Sequence, residues 1–191
     1  MHTRFPDFRL GKVLATSFTA TLTERCGDPV ERIPVPHRLV DWLAVNGLVV
    51  AGCTAAQLAL ARELRESLHA TLTAAAIQEP LPASAVQVIN DRSAQGRATA
   101  VLTPEGTRRW HLSSASCVED ALGVIAADAI GIIAGERDGR LALCASPTCR
   151  AAFFDTSRSR TRRWCEMNTC GNREKKARFH ANQRKTPAPA E

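Results

Sequence analysis

Two cysteine pairs of identical spacing constrain this chain more than any other feature. Cys144 and Cys149 bracket four residues, fifteen residues follow, and Cys165 and Cys170 bracket four again. Short chelating loops of this kind suit a tetrahedral metal. A structural Zn2+ takes thiolates at about 2.3 Å and is closed by four protein ligands. Spacing alone also admits two disulfides or unligated thiols. The odd total of seven cysteines and an N-terminus, MHTRFPDFRLGK, with no apolar signal-peptide stretch weigh against disulfides. Nothing favours an iron–sulfur cluster. We therefore expect one structural Zn2+ on Cys144, Cys149, Cys165 and Cys170, in a reducing cytoplasm where thiolates stay available.

The stretch around these cysteines is poor in apolar residues, chiefly Phe153, Phe154, Trp164, Met167 and Phe179. About 40 residues of this kind do not build a sufficient core, whereas zinc contributes roughly 10 to 16 kcal/mol of apparent folding free energy in small fingers. Charge is concentrated in the same place. Residues 150–185 hold eleven Lys or Arg and three carboxylates, net +8, while the whole chain carries +6. A local cationic field on a small metal module is the footprint of a polyanion binder.

The fifteen-residue spacer leaves room for two strands and a turn between the knuckles. On an extended strand Arg158, Arg160 and Arg162 share one face, with Arg163 beside them, and three guanidinium forks in line can follow a phosphate backbone. Residues 171–185 read as a helix, with Asn168 or Thr169 as N-cap and Pro187 beyond its end. Cys170 then lies in the first turn, where the helix dipole favours a thiolate. Arg173, Lys176, His180 and Arg184 fall on one stripe of that helix, Lys175 and Arg178 on other sides, and Phe179 is expected to pack against the hairpin. A slender basic helix fits the major groove of double-stranded DNA. Asn172 and Arg173 have a second reading, as caps or braces of the second knuckle.

FFDTSRSRTRRWCEMNTCGNREKKARFH resembles the CGNR zinc finger, through Phe154-Asp155, Ser157, Arg162-Arg163-Trp164-Cys165, Met167 and Cys170-Gly171-Asn172-Arg173 to Lys175 or Lys176. Proteins with this finger carry an N-terminal ABATE domain, and Ser84 to Asn90 is similar to its short helix ending in Asn. The resemblance implies a treble-clef finger and a bacterial, stress-linked transcription regulator that binds DNA. The chain departs from the pattern at Arg150-Ala151-Ala152, where a glycine and larger apolar residues are more usual, and at Glu166.

Upstream, residues 8–22 alternate β-branched, aromatic and polar side chains and predict one or two strands. Pro36 and Gly47 bracket a helix over 37–46 with Trp42 as core anchor or pocket wall. Thr54 to Gln57 is a capping box for a helix running to about Ile77, with Leu58, Ala61, Leu64, Leu68 and Leu72 on its apolar stripe and Arg62, Glu63, Arg65 and Glu66 elsewhere. A shorter helix follows over 83–92. Residues 98–102 and 108–112 flank Pro104-Glu105-Gly106-Thr107 as a hairpin with Trp110 facing the core. Ser116 to Glu119 is a second capping box, for a central apolar helix reaching Ala134. Residues 140–143 form a strand that delivers Cys144.

The fold class is thus α+β. A helix-rich, ABATE-like domain with a small sheet spans 1–136 and senses a ligand or partner. A treble-clef zinc finger spans 137–186, and a disordered tail covers 187–191. Histidines are scattered, no phosphate loop or nucleophile motif occurs, and no apolar run is long enough for a membrane span, so no enzyme or membrane role is expected. Rival readings are an adaptor docking its basic finger on an acidic protein, and an RNA binder, for which exposed aromatics are needed and no tyrosine exists.

Overall fold

Helices built for burial on several sides organise the first two-thirds of the chain. The computed structural model describes residues 5–113 and 117–185, with the backbone alone for 184 and 185. Its elements run α1 (Leu14–Thr19), β1 (Leu22–Thr23), β2 (Val30–Glu31), α2 (Pro36–Val45), α3 (Ala55–Ala76), α4 (Ala83–Gln95), β3 (Thr99–Leu102), β4 (Arg108–His111), α5 (Cys117–Ile133), β5 (Arg140–Leu143) and β6 (Ala152–Asp155). A π-helical turn over Met167–Gly171 then enters α6 (Asn172–Lys185). The strands pair as three separate antiparallel ribbons, β1–β2, β3–β4 and β5–β6.

Apolar residues surround α5, so α1, α3 and α4 can all pack on it. The end of α4 touches its backbone: a Cβ on Gly96 would lie 2.8 Å from the Gly123 Cα. Asp120, wholly buried in the first turn of α5, accepts from the backbone N–H groups of Arg97 at 2.8 Å and Ser113 at 2.7 Å. These lie before β3 and after β4, so one carboxylate anchors both ends of that ribbon. The expected cap, Ser116, and the tail over 187–191 lie outside the described residues.

The first capping box forms as the residues predict. The Gln57 N–H donates to Thr54 Oγ1 at 3.2 Å and the Thr54 N–H to Gln57 Oε1 at 2.9 Å. Leu58, Ala61, Leu64, Leu68 and Leu72 are buried along α3. Arg65, expected on a polar face, is buried too, where it donates to Glu31 and Glu66, each at 2.8 Å. Trp42 is wholly enclosed, its ring 5.0 Å from that of Phe18. Trp110 is half-buried at the core's edge under Arg108, on a ribbon that is otherwise exposed.

Residues 8–22 depart from the strand expectation. Only Leu22 there is in a strand, and Leu14–Thr19 is helical. Its hydroxyls fold back on the backbone, Ser17 Oγ to Val13 O and Thr21 Oγ1 to Phe18 O, both at 2.8 Å. The Ala15 N–H donates to Asp128 of α5 at 2.8 Å, a cap supplied from 113 residues away. Local β propensity yields to that tertiary partner and to burial of Ala15 and Phe18.

The last ribbon joins two clusters. Leu141 pairs with Phe154, Ala142 with Phe153 and Leu143 with Ala152. Side chains alternate along a strand. Leu141, Leu143, Ala152 and Phe154 therefore enter the main core, against α3, while Ala142 and Phe153 face the cysteines. Among the described residues, no helix is long and apolar enough to cross a membrane.

Candidate metal centre

Strand β5 ends one residue before Cys144, and the chain turns back over 145–151 into β6. The N–H groups of Cys149 and Arg150 both donate to Ser146 O, at 3.2 and 3.1 Å, and the Cys144 N–H donates to Ala151 O at 2.9 Å. Arg150 closes this knuckle at φ 49°. That left-handed conformation is one that glycine adopts without the steric cost an arginine bears. Cys144 and Cys149 are buried.

The second limb is built differently from expectation, since no strand lies between 156 and 166. Wholly buried Asp155 organises the loop instead, accepting from the N–H groups of Ser157 at 2.9 Å and Arg162 at 3.0 Å. It captures donors that a strand partner would need. Burial works against its charge, but hydrogen bonds from Ser157 and Arg162 outweigh that and hold its pKa below the usual carboxylate range. The Ala145 N–H donates to Arg163 O at 2.8 Å and ties this limb to the first knuckle. Cys170 then sits buried in the π-helical turn, beside Gly171, whose missing Cβ leaves room for Trp164 and Met167.

Folding thus brings the four expected sulfurs together. All four Sγ atoms lie within 4.8 Å of one another, and Cys165 is 3.6 Å from both Cys149 and Cys170. Four thiolates at the vertices of a zinc tetrahedron are about 3.8 Å apart, so the set fits that ion. The S–H groups of Cys149, Cys165 and Cys170 pull the Cys144 thiol far below its ordinary range, while Cys144, Cys149 and Cys170 push Cys165 far above it. Cys170 is likewise drawn below the ordinary thiol range and Cys149 is pushed above it, so two of the four favour the thiolate and two oppose it. A cation at their centre would offset the repulsion among four thiolates.

The basic residues separate into tied and open ones. Arg162 donates to the carbonyls of Trp164, at 2.8 Å, and Cys165, and its guanidinium lies over Phe153. Arg160, at φ 49°, pairs with Asp138. Arg158, Arg160 and Arg162 therefore do not form the expected strand face. Arg163 stacks over Trp164. Arg173 leaves the helical stripe for the N-terminal part, donating to Glu24 at 2.8 Å and Ser146 Oγ at 3.0 Å, with the Cys170 sulfur at 3.6 Å. Asn172 donates to Asn168 O at 3.3 Å, a local brace. Lys175, Lys176 and Arg178 are exposed, while the Arg184 side chain is outside the described residues. Phe179, expected against a hairpin, is 60% exposed.

Glu24, Ser146 and Thr148 escaped the sequence reading. Glu24 lies in a turn-rich connector that no motif marks, and only its distant partners reveal it. Two adjoining clefts, of about 150 and 440 Å3, run between residues 9–16 and the finger, lined by Arg9, Leu10, Phe153 and Arg162 among others. Neither Trp42 nor Trp110 lines them, and of its two expected roles Trp42 takes that of core anchor.

Residues 12–136 match the family model ABATE, described as "Putative stress-induced transcription regulator", and residues 140–183 match a second, described as "CGNR zinc finger". Neither describes a catalytic domain. No curated protein matches the chain.

Proposed function

The chain belongs to the ABATE family, with a CGNR zinc finger as its C-terminal part, and from that premise we propose that it is a cytoplasmic, stress-responsive transcription regulator that binds double-stranded DNA. In this reading residues 1–136 sense a ligand or partner. Residues 137–186 are the finger, closed by one Zn2+ on Cys144, Cys149, Cys165 and Cys170. The ion supplies structure rather than reactivity.

One observation carries the reading. Every residue from Lys175 to Gln183 is exposed, on a helix whose main contacts among the described elements are with the π-helical turn at its start. A helix polar on all faces has no core to hold it, and a phosphate backbone supplies the missing counter-surface. Arg158, Arg163, Lys175, Lys176 and Arg178 are the cations we assign to that contact. Arg160, Arg162 and Arg173 act within the protein.

Phe179 favours a second reading. An exposed aromatic on a basic helix offers a base something to stack on, which suits single-stranded RNA. A mobility-shift series with random duplex DNA and single-stranded RNA separates the two. We expect duplex binding with a slope of log affinity against log salt near −4.5, for about five phosphates. Preference for RNA, lost in Phe179→Ala, supports the second reading. Binding to neither at low salt removes both and leaves an adaptor for an acidic protein.

A further inference from the structure

Glu24 lies in the turn after β1, at φ 56°, a left-handed conformation that a non-glycine residue adopts at a cost. Its side chain is 11% exposed, and it touches both halves of the finger at once. One oxygen accepts from Thr148 Oγ1 and from Arg173, each at 2.8 Å, and the other accepts from Arg9 at 3.4 Å. Thr148 belongs to the first knuckle and its carbonyl also accepts from the Cys26 N–H, at 3.0 Å. Arg173 follows the second knuckle. The guanidinium nitrogen that does not meet Glu24 points to Ser146 Oγ, at 3.0 Å, and to the Cys170 sulfur, at 3.6 Å.

We propose that Glu24 is a positioning residue of the metal centre, holding Arg173 so that its guanidinium donates to the Cys170 thiolate. Four thiolates outnumber the charges of a divalent ion, so a cationic N–H donor at one sulfur offsets excess negative charge and slows its departure from the metal. A guanidinium is a rigid planar fork. With one arm fixed on a carboxylate, the other is aimed rather than swinging in solvent. Because Glu24 comes from the N-terminal part, metal binding and docking of that part on the finger favour each other, and by linkage the effect is reciprocal.

This inference rests on the metal reading of the four cysteines and is independent of what α6 binds. The test uses the full chain loaded with Zn2+ and, separately, with Co2+. Metal content is measured first: a wild-type chain without one bound ion removes the metal reading, and this inference with it. Release to excess chelator follows. Glu24→Gln, which keeps the shape and loses the charge, and Arg173→Lys, which loses the fork, should each release metal about tenfold faster, with a shifted cobalt–thiolate charge-transfer band. Arg109→Gln, on the exposed β4, should match wild type. Release and spectrum unchanged in both Glu24→Gln and Arg173→Lys overturn the proposal, even if their melting temperatures fall, because Glu24 is then only a structural tie. If Glu24→Gln does not fold, Arg173→Lys alone decides by the same readouts.

Discussion

The two knuckles share one spacing and have opposite surroundings. The first stands on β5–β6, whose outer face lies in the helical core through Leu141, Leu143, Ala152 and Phe154. The second has Met167 48% exposed, a loop strung on Asp155, and an α6 exposed from Lys175 to Gln183. Equal ligand spacing therefore does not mean equal dependence on the ion. The first limb is held by burial as an extension of the N-terminal part. The second is held by the Ala145–Arg163 hydrogen bond and the tie from Glu24 to Arg173, and on the metal reading by the ion as well.

Removing the metal is the harshest way to break this comparison. With an ion worth on the order of 10 kcal/mol withdrawn, amide exchange measured by mass spectrometry should rise steeply over 156–185 while β5–β6 and α5 stay protected. Loss of protection in both limbs together would show that burial does not hold the first one. Phe154→Ala attacks the other side. It removes a ring from the main core and should cost about 3 to 4 kcal/mol in denaturant unfolding, with metal content unchanged.

Acid should weaken the helical part in a definable window. Burial, aided by the nearby charge of Arg25, lowers the His69 pKa to about 4. The unfolded chain binds that proton near pH 6.5, so between pH 6.5 and 4 it takes up a proton that the folded chain refuses. Stability should fall by about 2 kcal/mol as pH drops through this window, and His69→Gln should remove that part of the slope in pH-dependent melts. The smallest effect belongs to the exposed limb. Phe179→Ala should change stability by less than about 0.5 kcal/mol, because its ring contributes little buried area.

How far the residues were legible depended on the range of the interaction. The Thr54–Gln57 box, the stripe on α3 and the strand at 140–143 each follow from neighbours a few positions apart, and each stands as read. The strand expectation over 8–22 fails at Leu14–Thr19 because Asp128, which caps that helix, is remote in the chain. The spacer between the knuckles was misread for a nearer reason. Arg158, Arg160 and Arg162 do recur with period two, but Asp155 gathers the N–H groups of Ser157 and Arg162 and bends the segment into a loop.

The sequence by itself determined the four cysteines that fold together, the Thr54–Gln57 cap and the placement of positive charge, since spacing and composition are properties of the chain wherever it goes. Tertiary structure alone decided which cations are open. Arg162 and Arg173 carry the same side chain as Arg158. They are tied to the protein's own acceptors because carbonyls at 164 and 165, or a carboxylate 149 residues upstream, come within reach. A guanidinium takes its role from the acceptors around it, and only folding chooses those.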